Sequence, residues 1–150
     1  MCRIELDSED HTPATAFLLS SEDRAQPNPR VSVWMTALTT LEQAWLLTGG
    51  SRERRGGLFL EVDKIRSLRP IPPEPVHPGL DVEWEPAMVP DGLGGRMPES
   101  RSGFEGHAGI VRLDDRYGTK QQRKKFRVQL ADISTVRILT DAELDRIASS

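Results

Sequence analysis

Five of the chain's 11 prolines stand between Arg69 and Pro78, at Pro70, Pro72, Pro73, Pro75 and Pro78. Each lacks an amide donor and holds φ close to about −65°, so neither a helix nor a central strand can run through this stretch. The segment predicts an extended connector, with periodic sequence on both sides of it. Residues 86–103, rich in Gly, Pro, Met and polar side chains, form a second irregular stretch, and a connection of that length predicts a mobile loop. Twelve Gly and a hydrophobic fraction of 37% in 150 residues then predict one α+β domain over 1–150 with a large share of irregular chain. The polar start, residues 1–13, is expected to be flexible.

Between these breaks the hydrophobic period sets the elements. Ala16-Phe17-Leu18-Leu19 reads as a short strand. Val31, Val33 and Met35 alternate with Ser32, Trp34 and Thr36, the period of a half-buried strand. Thr39-Thr-Leu-Glu42 has the spacing of a capping box, with Leu41, Ala44, Trp45 and Thr48 on one helical face and Gly49-Gly50 as the stop. Leu58–Val62 predicts a strand, and Asp63 a cap for a short turn through Ile65 and Leu68. Leu80, Val82 and Trp84 alternate with acidic residues, Gly106–Leu113 reads as a central strand, and Thr135–Leu139 as a last one. Thr140 and Glu143 form a further capping box before a terminal helix. The expectation is a mixed or antiparallel sheet of about five to six strands with two or three short helices. Trp34, Trp45 and Trp84 are all expected in the core.

Charge singles out one segment. Of 20 basic residues four are lysines, and three of those lie at Lys120, Lys124 and Lys125. On a helix over 119–130, Lys120, Arg123, Lys124 and Arg127 share a stripe, Lys125 stands beside it, and Phe126, Leu130 and Ile133 make an apolar stripe next to them. That pattern predicts a helix anchored by one edge and presenting cations by the other, either as a solvated face or as a contact surface. With a net charge of −3 the whole chain does not attract polyanions, so such binding must be local.

Other chemistry is sparse. His11, His77 and His107 are far apart and Cys2 is the sole cysteine, so no metal site and no intrachain disulfide are expected. Gly92-Leu-Gly-Gly95 precedes no helix and lacks the context of a phosphate loop, which leaves it as a flexible hinge and no cofactor as the expectation. His107, beside Glu105 and two glycines, has the makings of a general base, or of a half-buried histidine satisfied by backbone. Arg30, Ser32 and Thr36 with Glu105 or Glu99 downstream are loosely compatible with the Arg, Ser/Thr, Glu pattern of ADP-ribosyltransferase-like enzymes. No apolar run has the length of a leader or a membrane span, which predicts a cytoplasmic location and no membrane partner.

The succession Val31-Ser-Val-Trp34, Thr39-Thr-Leu-Glu-Gln-Ala44, Phe59-Leu-Glu-Val62 and Gly106-His-Ala-Gly-Ile110 before a basic helix resembles a family of short bacterial proteins of no established activity. The resemblance spans about residues 30–139 and implies a bacterial source and a folded family. The functional expectation is a binding or accessory module that contacts an anionic partner, nucleic acid or acidic protein, through Lys120, Arg123, Lys124, Lys125 and Arg127. The alternative is a small enzyme acting on a nucleotide-like substrate around Arg30, Glu105 and His107.

Overall fold

The computed structural model describes residues 2–5, 14–26, 28–70, 77–84, 88–98 and 104–149. It is an α+β arrangement in which every strand pairing is antiparallel. The strands are β1 (Cys2–Glu5), β2 (Arg30–Trp34), β3 (Gly56–Phe59), β4 (Asp81–Trp84), β5 (Met88–Pro90), β6 (Arg96–Pro98), β7 (His107–Val111) and β8 (Thr135–Ile138). The larger sheet has the order β4-β7-β2-β1-β3-β8, and β5 and β6 pair only with each other. Among the described residues there are five α-helices, more than the two or three expected: α1 (Ser21–Ala25), α2 (Leu41–Leu47), α3 (Val62–Ser67), α4 (Lys120–Ile133) and α5 (Asp141–Ala148).

Alternation along the strands sends apolar side chains to both faces of the sheet. Val31, Val33, Leu58, Ala108 and Ile110 are buried on one face with Phe17, Ile65 from α3, and Phe126 and Leu130 from α4. Phe59, one residue after Leu58, points the other way and packs with Leu41 and Trp45 of α2 and Leu144 and Ile147 of α5. The result is a sheet between two helical layers. Arg30↔Val111 and Trp34↔His107 mark the ends of the β2/β7 ladder, and β7 lies between β2 and β4. The expected interior position of β7 is therefore the observed one.

Several local expectations are corrected. Ala14–Phe17 is a 3-10 helix where a strand was expected; Phe17 is fully buried against α4, and a single buried turn serves that contact. The capping residue of α2 is Thr40, bonded to the amide of Gln43, one position on from the expected Thr39 and Glu42. Thr39 is buried instead, where its hydroxyl fills the space a side chain on Gly106 would need. Gly49 and Gly50 end α2 with φ of 109° and 63°, as the two glycines predict. Val62 is the first residue of α3 and not the end of β3, and α3 has no side-chain cap from Asp63.

Trp84 is a correction of greater consequence. It lies at the end of edge strand β4, 58% exposed, while Trp34 and Trp45 are 4% and 5% exposed. Residues 88–98, inside the expected loop, form a hairpin whose turn is pinned by Asp91, which accepts from the amides of Leu93 and Gly95. The glycines read as a hinge make this turn, with Gly92 and Gly94 at positive φ. Residues 86, 87 and 99–103 of that stretch, most of the proline connector (71–76) and residues 1 and 6–13 of the polar start lie outside the described residues.

Candidate anion-binding cleft

The segment from the end of β7 to α4 is held by a histidine that drew no assignment from the sequence. His77 is 3% exposed; its Nδ1 accepts from the Gly79 amide at 2.9 Å and its Nε2 stands 2.7 Å from the Arg112 carbonyl. Because Nδ1 must be unprotonated to accept, the ring is neutral and carries its proton on Nε2, where it donates to Arg112. Burial lowers its pKa below the ordinary 6.5, opposed by the bond to the Arg112 carbonyl and reinforced by the charges of Arg112 and Arg123. Arg112 itself has φ 74°, a left-handed conformation costly for a residue with a Cβ. The His77 contact and a bond from the Arg112 guanidinium to the Gly79 carbonyl secure that turn.

Beyond it, Leu113, Asp114 and Asp115 lead through the Gly118 turn to Thr119, the N-cap of α4. Thr119 and Gln122 satisfy one another's amides as a reciprocal box. Phe126 and Leu130 are fully buried and fix the rotation of α4 about its axis. That rotation turns Lys120, Arg123 and Arg127 into a cleft of about 420 Å³, whose other walls are Leu18, Leu19, Arg24, Pro29, Leu113, Asp114 and Asp115. Arg24 comes from α1, a helix set by a Ser20/Asp23 box.

The electrostatics of this cleft differ from those of the surrounding surface. Arg52, Arg55, Arg66, Arg116 and Arg137 each meet a carboxylate. Among the described residues, Arg24, Lys120, Arg123 and Arg127 have no such ion pair. The Arg127 guanidinium has its pKa lowered, first by desolvation and then by the charges of Arg123 and Arg24. It stays charged at neutral pH, but at a cost that an anion in the cleft would relieve. Arg123 also donates to the carbonyls of Tyr117 and Gly118 at 2.9 and 2.7 Å, which ties the cleft to the entry of α4.

Asp114, which also lines the cleft, is 5% exposed. Its Oδ2 takes the Nε–H of Arg116, whose other arm reaches Asn28, which in turn donates to Glu83. Its Oδ1 is buried and has no hydrogen-bond partner among the described residues. A second recess, around Arg66, Arg69, His77 and Arg112, is also cationic. Its arginines are occupied: Arg66 by Asp81, Arg69 by the carbonyls of Arg66 and Leu68, and Arg112 by Gly79.

Of the binding residues predicted from the sequence, Lys120, Arg123 and Arg127 converge on the cleft, whereas Lys124 is exposed and Lys125 half-buried, and neither lines it. Arg24 and Asp114 were not anticipated. The Ser20/Asp23 spacing carries a helix signal, but nothing in a single sequence places that helix against α4. The proposed catalytic group is spread out. Arg30 and His107 stand at opposite ends of the β2/β7 ladder, four pairs apart, a backbone separation of about 13 Å. The Arg30 stem crosses Gly109, and its Nε donates to the Asn28 carbonyl at 3.2 Å. His107 is half-buried with its ring edge-on to Trp34, centroids 5.0 Å apart. Glu105 is exposed and takes the Trp84 indole on its carbonyl. The glycines near His107 have packing reasons, Gly106 against Thr39 and Gly109 under Arg30.

Among the described residues no cluster of His, Cys, Asp and Glu could hold a metal ion, and no helix is long and apolar enough to cross a membrane. Comparisons with protein-family models, curated proteins and solved structures find no match to this chain.

Proposed function

We propose that the chain is a binding module whose α4 cleft takes a polyanion, and that the polyanion is nucleic acid. The observation that carries this reading is the convergence of Arg24, Lys120, Arg123 and Arg127 around one cleft with no carboxylate paired to them among the described residues. Guanidinium groups match phosphate oxygens with two parallel donors, and a cleft of like charges gains most from an anion that several cations share. The alternative partner, an acidic protein, fits less well. A polycarboxylate would set acceptors against Asp114 and Asp115, while nucleic acid carries hydroxyl and amino donors beside its phosphates.

Counterion release supplies the test. Four phosphate contacts predict that log affinity falls with log salt at a slope of about −3 to −4. Changing Arg24, Lys120 and Arg127 together to Gln should reduce that slope by roughly three, about one per lost contact. Retention on immobilised nucleic acid should vanish while the melting temperature holds; Arg123 stays in place because it also tethers the helix entry. Replacing Lys124 and Lys125 by Gln should weaken binding far less. Undiminished retention of the triple variant, or stronger retention on polyglutamate than on nucleic acid, would rule the reading out.

A further inference from the structure

The cleft carries one feature that a general polyanion site has no need of, the buried Asp114 carboxylate among its lining residues. A carboxylate oxygen removed from water keeps its full demand for a donor, and a native structure leaves such a demand open chiefly where something else meets it. Oδ2 is engaged by Arg116, which fixes the plane of the carboxylate, and Oδ1 is left without a partner among the described residues. Asp114 lines the same cleft as Arg24, Lys120, Arg123 and Arg127. A ligand that satisfies both walls must therefore carry an anionic group and, a short way from it, a hydrogen-bond donor. A simple inorganic anion supplies the first only, and so does the backbone of DNA away from its bases.

Resting on the nucleic-acid reading above, we propose that the cleft recognises a ribose phosphate: the phosphate between the α4 cations and Arg24, and the ribose hydroxyl donating to Asp114 Oδ1. The 2′-hydroxyl is the group by which a protein tells RNA from DNA at a given position, and an immobilised carboxylate acceptor is suited to it. The two walls divide the work. The cations hold any phosphate backbone, and Asp114 selects the sugar. Asp114 carries a negative charge of its own, so a backbone that brings no donor meets an unrelieved acceptor there, and the discrimination comes from penalising DNA as well as from favouring RNA.

The same chemistry exists in an RNA chain and in a free ribonucleotide, so the test uses both. Fluorescence anisotropy would compare an unstructured oligoribonucleotide with the deoxy and 2′-O-methyl oligomers of the same sequence, and a ribonucleoside monophosphate would compete against each. The expected result is that the ribo-oligomer binds roughly ten-fold tighter than both analogues, a hydrogen bond to a charged group being of that size. Competition by the monophosphate at a concentration comparable to that of oligomer nucleotides would assign the site to free ribonucleotide, and its failure would assign it to RNA. Asp114→Asn, checked by its melting temperature, should bring the three oligomers to within about two-fold of one another by raising the affinity for DNA. The comparison of the three oligomers on the unaltered protein stands even if that variant does not fold. Equal binding of ribo-, deoxy- and 2′-O-methyl oligomers would overturn the inference and leave the polyanion reading in place. Binding to none of them would overturn both.

Discussion

Trp45 and Trp84 have the same chemistry and opposite surroundings, and the contrast sets what each contributes. Trp45 is buried between α2 and α5 and its indole donates to the Ser51 carbonyl at 2.9 Å, so Trp45→Ala should cost about 3–5 kcal/mol. Trp84 has more than half of its surface in water, and Trp84→Ala should cost about 1 kcal/mol or less. Urea titration of both variants checks the pair; a loss at Trp84 as large as at Trp45 would show the indole to be covered. Period two was enough to place Trp84 on the apolar face of a strand, but whether that strand lies inside the sheet or at its edge depends on pairing that the strand's own residues do not encode. His77 escaped notice for a related reason, since its partners are backbone groups of Gly79 and Arg112. Its depressed pKa gives a definite pH dependence. The unfolded chain takes a proton near the ordinary 6.5 while the folded chain resists it until a lower pH. Stability that is fully present above about pH 6.5 is therefore lost as pH falls through the window between the two values. Melting temperatures of the native chain and of His77→Gln should converge from pH 7.5 to 5.5, and a constant gap would mean that His77 takes up its proton alike in the folded and unfolded chains.

At the scale of elements, helix α4 was the most legible part of the chain, because its two stripes are both encoded within its own 14 residues. Phe126 and Leu130 are buried as the period requires, and Thr119 with Gln122 closes its N-terminus. Thr119→Ala should cost about 1 kcal/mol through the lost cap. Phe126→Ala should cost about 3–5 kcal/mol, because that ring also packs on His77 with centroids 4.5 Å apart. Chemical denaturation of the two variants measures both, and equal losses would show that the cap and not the packing governs this helix. Elsewhere local signals competed. The run Thr39-Thr40 with Glu42-Gln43 offers two overlapping capping boxes, and the choice falls to Thr40 because Thr39 is drawn into the core beside Gly106. The Asp91 turn shows the opposite weakness of sequence reading. Its two flanking strands are three residues each, too short to show a period, so the stretch passes for loop.

For the whole molecule, the strand order β4-β7-β2-β1-β3-β8 joins segments distant in sequence, and it is this order that decides what becomes a site. The α4 stripe was visible in the sequence as a row of cations. The cleft was not, because its other walls, Arg24 from α1 and Asp114 from the end of β7, are brought there by the packing of the 3-10 turn and α4 on one face of the sheet. The same layering separates the cleft from the acidic surface of α5, where Asp141 and Asp145 pair with Arg55 and Arg52 at 2.7 and 2.6 Å. Helix α5 lies on the face of the sheet opposite α4, on the order of 20 Å away. That separation gives a test of whether polyanion binding is governed by the local cleft or by the net charge of −3. At physiological salt the Debye length is about 8 Å, and at 0.01 M it is about 30 Å. Asp141→Asn with Asp145→Asn makes the chain less negative by two charges, and stability should change by no more than about 1 kcal/mol because both pairs are exposed. Affinity for nucleic acid should be unchanged at 0.15 M salt and should rise at 0.01 M, where the field of α5 reaches the cleft. An equal rise at both salt concentrations would mean that the ligand touches α5, and that the surface it occupies extends beyond the cleft between α1 and α4.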